Sequence, residues 1–325
     1  MRRLLPTVIA ALLVMTPAAA AQVPTPTLPV TPPATGPVPA DMKITRVGGL
    51  RDGKGIYNVP RDRVRVDGRI NRAAAGEAVT VELWRRGKRR QHVAARVASG
   101  GHFFTFLRPS VAGHYAVRAV HKKSGKVDAG HSRRVAFTAI VPHASRGSAG
   151  VRVRLLQRQL ALLHYAIPKS GHYDGATARA VLAYRKVNGM RRIGSANYTI
   201  FRRLFHGKGM FRLRYPHAGK HVEGDLRHQV LVLAQNGKPW RVYHMSSGKP
   251  STPTVRGRFR FYRKQPGFNS HGMYYSSYFI GGYAIHGYAS VPAHAASHGC
   301  IRVPIPSAHA IYRWISLGDR IFVYR

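Results

Sequence analysis

Tyr283-Ala284-Ile285-His286-Gly287 and, after a short spacer, Ser297-His298-Gly299-Cys300-Ile301-Arg302 form the stretch around which this chain is organised. The stretch contains the only cysteine of the protein and two histidines, each followed by a glycine. A free thiol with a pKa of about 8.5 is mostly protonated at neutral pH, so a sulfur nucleophile needs a nearby base. Glycines let backbone N–H groups approach a developing oxyanion. A nucleophile, a base and a flexible backbone are therefore predicted within one short segment.

Carboxylates are missing around this cysteine. No Asp or Glu occurs between Asp225 and Asp319, so this segment cannot supply the acid of a Cys-His-Asp triad. A backbone carbonyl or an amide must then orient the histidine. The same gap argues against a glycosidase, which needs paired carboxylates. Ser297 lacks the Gly-x-Ser-x-Gly context of a serine hydrolase.

Two other interpretations of the cysteine stay open at this stage. A free cysteine is often an inert, buried core residue. A zinc site is the sharper alternative, with His286, His294, His298 and Cys300 as ligands, although no local carboxylate is available to orient them. We expect neither a metal nor an organic cofactor.

The charge of the whole chain is strongly unbalanced. The 325 residues include 53 Lys and Arg against 11 Asp and Glu, and such an excess suggests a polyanionic partner. Residues 1–21 have the basic start, apolar core and small-residue cleavage site of a secretory signal peptide, with an uncleaved anchor as the alternative. Residues 22–40, rich in Pro and Thr, are predicted to be an extended linker.

The predicted secretion helps to choose between nucleic acid and cell-wall polymers as the polyanionic partner. It argues against nucleic acid, for which the chain also lacks a recognised binding module, and favours anionic polymers of the cell wall. We therefore expect a secreted, wall-associated protein of the cell envelope. A single cysteine also excludes an intramolecular disulfide, so its domains must be stabilised by their cores.

Residues 41–141 have the pattern of a β domain. Alternating segments begin at Ala78, Gly101 and Gly113, and turn residues follow at Gly87 and Gly125. Short strands at this spacing predict a β-sandwich. The segment resembles a bacterial Ig-like domain, which implies a spacer or adhesion module.

In residues 146–207 the apolar period becomes helical. Asp174 is placed to cap a second helix, Gly189 to end it, and a third helix is predicted over Asn197–Phe205. The apolar stripes of the first two helices are Val153, Leu156, Leu160 and Leu163, then Ala178, Val181, Leu182 and Val187. The segment resembles the small three-helix peptidoglycan-binding domain, which implies contact with glycan strands or a platform role.

Residues 214–325 are predicted to form a β-rich domain with one late helix. Asn236-Gly237 is a strong hairpin signal after an apolar strand. A helix is expected from Pro306 to Leu317, followed by a final strand at Arg320–Tyr324.

The His-Gly and Ser-His-Gly-Cys elements of this last segment, with Ser246–Lys249 and Thr252–Phe259 upstream, resemble the YkuD-type catalytic domain of the L,D-transpeptidases. The resemblance covers roughly residues 220–325. It implies that Cys300 is the nucleophile, that His286 is the base and later the acid, and that the carbonyl of Gly287 orients the imidazole. It also implies an oxyanion side and a set of substrate contacts. These are His298, Gly299 and the Cys300 N–H on the oxyanion side, and Arg302, Ser297, Tyr274, Tyr275 and Tyr283 on the substrate side.

From the residues alone, the tyrosines are equally well explained as core aromatics and Arg302 as an internal anchor. The activity implied by the resemblance is attack by Cys300 on a tetrapeptide stem of peptidoglycan with release of D-Ala. Transfer of the thioester to an amine of a second stem gives a 3→3 cross-link, and transfer to water makes the enzyme an L,D-carboxypeptidase. Carbapenems are implied as inhibitors, and a non-catalytic wall-binding protein is the remaining alternative.

Overall fold

The computed structural model describes residues 36–325; the predicted signal peptide and most of the predicted linker lie outside the described residues. Strands occupy the segment in which the sequence alternates. They are β1 Lys43–Val47, β2 Leu50–Asp52, β3 Gly55–Asn58, β4 Val64–Arg69, β5 Ala78–Arg85, β6 Lys88–Arg96, β7 His102–Leu107, β8 Gly113–His121, β9 Gly130–His131 and β10 Val135–Ala139.

These strands form two sheets that share one core. One has the order β1-β4-β7, and the other β2-β3-β10-β8-β5-β6 with β9 paired to β8. Alternate side chains of both, such as Val66 in β4 and Val81 in β5, are buried in the same apolar cluster. Packing of sheet on sheet agrees with the predicted sandwich, whereas the Ig-like assignment stays a prediction.

Three helices follow. They are α1 Val151–Leu162, α2 Gly175–Val187 and α3 Tyr198–Phe205. The stripe predicted for α1 is fully buried. Asp174 caps α2 by accepting a hydrogen bond from the Thr177 N–H at 2.7 Å. Gly189, with φ +64°, ends α2, and the next N–H bonds back to the carbonyl of Arg185 at 2.8 Å.

The stripe predicted for α2 is wrong in part. Leu182 is half-exposed, whereas Ala183, Tyr184 and even Lys186 are buried. The physical reason is that α2 has two partners, since it packs against the other helices and also against a β-sheet of the C-terminal region. A helix buried on two sides does not show a single apolar stripe.

The C-terminal region contains two further sheets and one helix. Its elements are β11 His221–Asp225, β12 Val230–Gln235, β13 Lys238–His244, β14 Gly257–Arg260, β15 Arg263–Phe268, β16 Tyr274–Ile280, β17 Tyr283–Tyr288, β18 Ile301–Pro304, α4 Ile305–Trp314 and β19 Arg320–Tyr324. The sheet orders are β13-β12-β11-β19-β14 and β15-β16-β17-β18. Helix α4 packs on β16, β17 and β18.

Details of this region follow the sequence closely. Asn236 and Gly237 both have positive φ, at 53° and 70°, as the predicted tight hairpin requires. The late helix is shorter than predicted, because Ile315 already has extended backbone and its buried side chain packs into the core. None of the helices in residues 36–325 is long and apolar enough to cross a membrane.

Hydrogen bonds join the helices to the five-stranded sheet of the C-terminal region, through its edge strand β13 and the residues that follow it. Backbone bonds connect Val242 in β13 to His164 and Ala166, which follow α1, at 2.8 and 3.0 Å. From α2, the buried Lys186 Nζ lies 3.0 Å from the carbonyl of Met245 and 2.7 Å from His244 Nδ1. Burial lowers the pKa of Lys186 to about 6 and that of His244 to about 3. The imidazole is therefore neutral, and the junction has no buried carboxylate to balance an ammonium.

Candidate active site

Two parallel strands bring the site together. Strands β17 and β18 are paired so that His286 lies opposite Arg302, and Cys300 is the residue directly before β18. Ile285 and Ile301 are buried in the core beneath. Because successive side chains of a strand point to opposite faces, burial of these two isoleucines turns His286 and Arg302 to the other face of the sheet.

That face carries a cavity of about 290 Å³ around the cysteine. It brings together five of the residues predicted from the sequence: Cys300, His286, Ser297, His298 and Arg302. It also has three lining residues that the prediction lacked or left undecided, which are His271, Met273 and Tyr288.

His286 is oriented by main chain, as the absence of local carboxylates requires. Its ring is 3% exposed, and Nδ1 lies 2.9 Å from the carbonyl oxygen of Gly287. A carbonyl accepts only, so Nδ1–H is the donor and Nε2 is the basic nitrogen. Burial lowers the pKa of His286 to about 4; the Gly287 hydrogen bond opposes this shift and the charge of Arg302 adds to it.

Cys300 has the opposite shift. Burial raises the pKa of its thiol, and a backbone hydrogen bond at Ala284 and the positive charge of Arg302 counteract this in part. Sγ lies 3.7 Å from the carbonyl oxygen of Gly282. At neutral pH both groups are therefore uncharged, a thiol and an imidazole that line the same cavity.

The turn before the cysteine is held by Ser297. Its hydroxyl donates to the Cys300 carbonyl at 2.5 Å and accepts the Gly299 N–H at 3.1 Å. Both polar functions are therefore used inside the loop, which favours a positioning role for Ser297 over the substrate contact expected for it. The Gly299 N–H is likewise engaged within the loop rather than pointing to a ligand.

Position 299 requires glycine for two reasons. Its φ is +116°, a region that side chains avoid. A Cβ there would also lie 2.4 Å from a ring carbon of Tyr283. Tyr283 thus packs on the loop that precedes Cys300. His298, next to Gly299 in this loop, is exposed and lines the cavity.

The segment from Ser246 to Thr254 braces this loop from the other side. Ser246 and Arg302 exchange two backbone hydrogen bonds of 2.9 and 2.8 Å. The buried Thr254 hydroxyl donates to the Gly299 carbonyl at 2.6 Å and accepts the Gly248 N–H at 2.9 Å. Thr254 was missed as a site residue, although it lies in the upstream stretch that carried the resemblance.

The predicted tyrosines do not line the cavity around Cys300. Tyr275 packs on His309 and Tyr312 of α4, with ring centroids 4.8 and 5.0 Å away, and Tyr274 packs beside Gly287. Tyr288 lines the cavity instead, and the guanidinium of Arg302 lies 4.0 Å from its ring centroid. Strand alternation is the signal that identifies it, since Tyr288 lies two residues after His286 on the same face.

The segment between β17 and Cys300 is fastened to its surroundings at three carbonyls. His244 Nε2 lies 2.9 Å from the Val291 carbonyl, Arg192 donates to Ala293 at 2.9 Å, and Ser246 donates to His294 at 2.6 Å. His294 itself is exposed. Within residues 36–325 no group of three or more His, Cys, Asp or Glu is arranged to hold a metal ion.

Comparison with known proteins agrees with this geometry. Residues 219–323 match the L,D-transpeptidase catalytic domain family, YkuD. A crystal structure of an L,D-transpeptidase from Xylanimonas cellulosilytica is 34% identical, covers 56% of this chain and 97% of that chain, and has a TM-score of 0.53. The shared region is longer than the residues matched to the family. None of the curated proteins matches the chain.

Two further solved structures are similar over shorter or weaker alignments. One is an L,D-transpeptidase from Stackebrandtia nassauensis, which is 22% identical and has a TM-score of 0.36. The alignment covers 56% of this chain and 95% of that chain. The other is the catalytic domain of the Enterococcus faecium L,D-transpeptidase acylated by ertapenem, which is 25% identical and has a TM-score of 0.29. The alignment covers 33% of this chain and 97% of that chain. Given its match over residues 219–323 and its likeness to the Xylanimonas enzyme across nearly the whole of that structure, the chain belongs to the L,D-transpeptidase family.

Proposed function

We propose that the protein is a cysteine-dependent L,D-transpeptidase that forms 3→3 cross-links in peptidoglycan. One observation supports this most: Cys300 and the buried His286, whose Nδ1 is bonded to the Gly287 carbonyl, line the same cavity. A neutral imidazole whose Nε2 can accept a proton and a neutral thiol on the same cavity suit general-base attack.

The first half of the reaction makes a thioester. His286 Nε2 takes the proton of the thiol while Sγ forms a bond to the carbonyl carbon after the third residue of the stem. When the tetrahedral intermediate collapses, the C–N bond breaks and His286 returns the proton to the nitrogen of the departing D-Ala. In the second half, an amine of another stem attacks the thioester, loses its proton to His286, and the thiol is restored.

Other residues have supporting roles in this proposal. The Cys300 N–H and the exposed His298 form the oxyanion side, and Arg302 meets a carboxylate of the substrate from its position opposite His286. Ser297, Gly299 and Tyr283 hold the turn. Metal and organic cofactors have no part in the steps.

We further propose a wall-associated location in the cell envelope. The signal-like residues 1–21 and the excess of 53 basic over 11 acidic residues support secretion toward an anionic wall. The helices α1–α3 would then serve as a peptidoglycan-binding-like module and the β-sandwich region as a spacer. Fractionation of cells producing the full-length chain tests this, and recovery in the cytosol would contradict it.

Intact-protein mass spectrometry with a carbapenem tests the chemistry. The expected result is one adduct on the wild-type protein and none on Cys300→Ala, since a strained β-lactam acylates an activated thiol. Equal adducts on both proteins, or none on the wild type, would contradict the proposal. Cys300→Ser is a matched control of nearly the same size whose hydroxyl is a far weaker nucleophile at neutral pH.

A further inference from the structure

A second and larger cavity lies next to the one that holds Cys300. Its volume is about 580 Å³, and it is formed between α2 and the junction of β18 with α4. Arg146, Arg179 and Leu182 line it from the helical side. His244, Tyr288 and Ile305 line it from the catalytic side. Nothing in the proposed mechanism uses this cavity.

Strand geometry makes the two cavities neighbours. His286 and Tyr288 are two residues apart on β17, and their paired residues Arg302 and Pro304 are two apart on β18. Residues two apart point to the same face, about 7 Å from each other along the strand. His286 and Arg302 border the cysteine cavity, whereas Tyr288 and Pro304 border the larger cavity. Tyr288 also borders the cysteine cavity. A ligand that follows these strands away from Cys300 therefore enters the second cavity.

The helical wall of this cavity carries two converging guanidinium groups. A Cβ built on Gly175, the first residue of α2, would lie 3.2 Å from Arg179 Nη1 and 3.4 Å from Arg146 Nη2. Within residues 36–325 neither arginine has an ion-pair partner. The nearby Asp174 already accepts two hydrogen bonds from Thr177, at 2.7 and 2.8 Å, as the helix cap.

The surroundings of Arg179 disfavour its positive charge. Burial lowers its pKa, the charge of Asp174 opposes this shift, and the charge of Arg146 adds to it. An anion bound in the cavity would stabilise the two neighbouring positive charges of Arg146 and Arg179. A planar carboxylate is a suitable anion, because it can accept two parallel hydrogen bonds from one guanidinium.

Besides the two arginines, His244 and Tyr288, the side chains that line the cavity are apolar. Ala178 and Leu182 of α2 face Val291 and Pro306 of the catalytic region across the cavity. Leu182 is half-exposed on an otherwise buried stretch of helix, so a ligand with small apolar groups would cover it. The lining thus combines two arginines with an apolar part, here called the apolar wall (Ala178, Leu182, Val291 and Pro306). This combination suits a peptide end that has both a carboxylate and methyl side chains.

We propose that this cavity binds the carboxylate-bearing end of a peptidoglycan stem peptide, with the carboxylate on Arg146 and Arg179 and small side chains on the apolar wall. The identity of the peptide rests on the proposed function. The bound stem is the acyl donor if the cavity holds the part of the stem peptide that follows the reacting carbonyl. It is the acceptor if the second stem approaches Cys300 past Tyr288.

Direct binding tests the cavity without relying on catalysis. A tetrapeptide muropeptide with a free terminal carboxylate is titrated by calorimetry into full-length Cys300→Ala, alone and combined with Arg146→Gln and Arg179→Gln. Loss of one charged hydrogen-bonding group typically weakens binding about tenfold or more. We expect at least that loss with both substitutions, and little loss with the exposed Arg212→Gln, which lies outside both cavities. Amidation of the terminal carboxylate should reproduce the loss.

Kinetics of the protein that retains Cys300 distinguish the two stems. If the donor occupies the cavity, the double substitution raises KM for release of D-Ala with water as acceptor. If the acceptor does, that KM is unchanged and only dimer formation falls. A carbapenem adduct on Cys300 of the double variant shows that its cysteine site is intact.

Equal affinity of the parent and the double variant for the muropeptide would overturn the inference, whatever the enzyme does. So would tight, Arg-dependent binding of poly(glycerol phosphate) with no binding of the muropeptide, because the cavity would then serve a wall polymer. A protein that binds the muropeptide through these arginines but fails to acylate Cys300 would refute the proposed function and leave this inference standing.

Discussion

The pH dependence of acylation is the prediction that follows most sharply from the site. Burial lowers the pKa of His286 to about 4, from an ordinary value near 6.5. Only the neutral imidazole accepts the thiol proton. At pH 5.5 about 97% of His286 is then neutral, compared with about 9% for an ordinary histidine. The acidic limb of the acylation rate should therefore have its midpoint near pH 4, and the rate at pH 5.5 should equal the rate at pH 7.

The assay is the second-order rate constant for carbapenem acylation, measured by intact mass from about pH 3.5 to 8, a range that includes the predicted midpoint. His286→Gln should lose about 10²- to 10⁴-fold at neutral pH, the usual contribution of a general base. An acidic limb centred near pH 6.5 in the wild type, or a His286→Gln rate equal to the wild type, would refute the reasoning.

Stability must be followed in the same buffers, because the same shift destabilises the fold in acid. The folded protein resists protonation of His286, whereas the unfolded chain takes the proton below about pH 6.5. Stability from this group is complete above pH 6.5 and is lost as the pH falls to 4, by about 3 kcal/mol at most. Circular dichroism at each pH separates loss of the fold from loss of the base.

Further predictions concern the supports of the site. Thr254→Val keeps the shape but leaves the Gly299 carbonyl and the Gly248 N–H without their partner, so acylation should slow and the free energy of unfolding should fall by about 1–3 kcal/mol in denaturant titration; unchanged values would contradict the brace. Gly299→Ala should abolish acylation, because the new methyl group meets the Tyr283 ring, and an active variant would refute this packing. Lys186→Met removes the donor to His244 and Met245 and should lower the melting temperature, while the matched substitution of exposed Lys208 should not. Arg302→Gln removes a positive charge that lowers the pKa of His286, so the acidic limb should move to higher pH by less than about one unit, and a move to lower pH would contradict the assignment.

Local signals in the sequence predict much of the fold. The stripe of α1, the cap at Asp174 and the turn at Asn236 depend on neighbours within a few residues, and each has the predicted structure. Burial of α2 depends instead on a sheet that begins far along the chain. A periodic pattern cannot show that Lys186 is inserted beside His244, because nothing local marks a lysine as buried.

The residues of the site likewise fall into those predicted from local sequence and those set by tertiary contacts. The order of motifs placed Cys300, His286 and Arg302 on one cavity, and the gap in carboxylates predicted that backbone orients the histidine, as the Gly287 carbonyl does. Tyr274, Tyr275 and Tyr283 lie outside the cavity around Cys300, and their substrate contact stays a prediction. Aromatic residues near a motif are equally suited to packing, as Tyr275 packs on α4. Thr254 reaches the Gly299 carbonyl, and Arg146 and Arg179 reach the second cavity, only through tertiary contacts, which no spacing in the sequence encodes.

The most direct test of the central claim is incubation of the full-length protein with purified tetrapeptide muropeptides, followed by mass analysis. We predict loss of D-Ala together with 3→3 linked dimers, and neither product with Cys300→Ala. Shortened monomers without dimers would show that water is the acceptor and that the protein is an L,D-carboxypeptidase. Muropeptides left unchanged by the wild type, or consumed equally by Cys300→Ala, would contradict the assignment of Cys300 as the nucleophile.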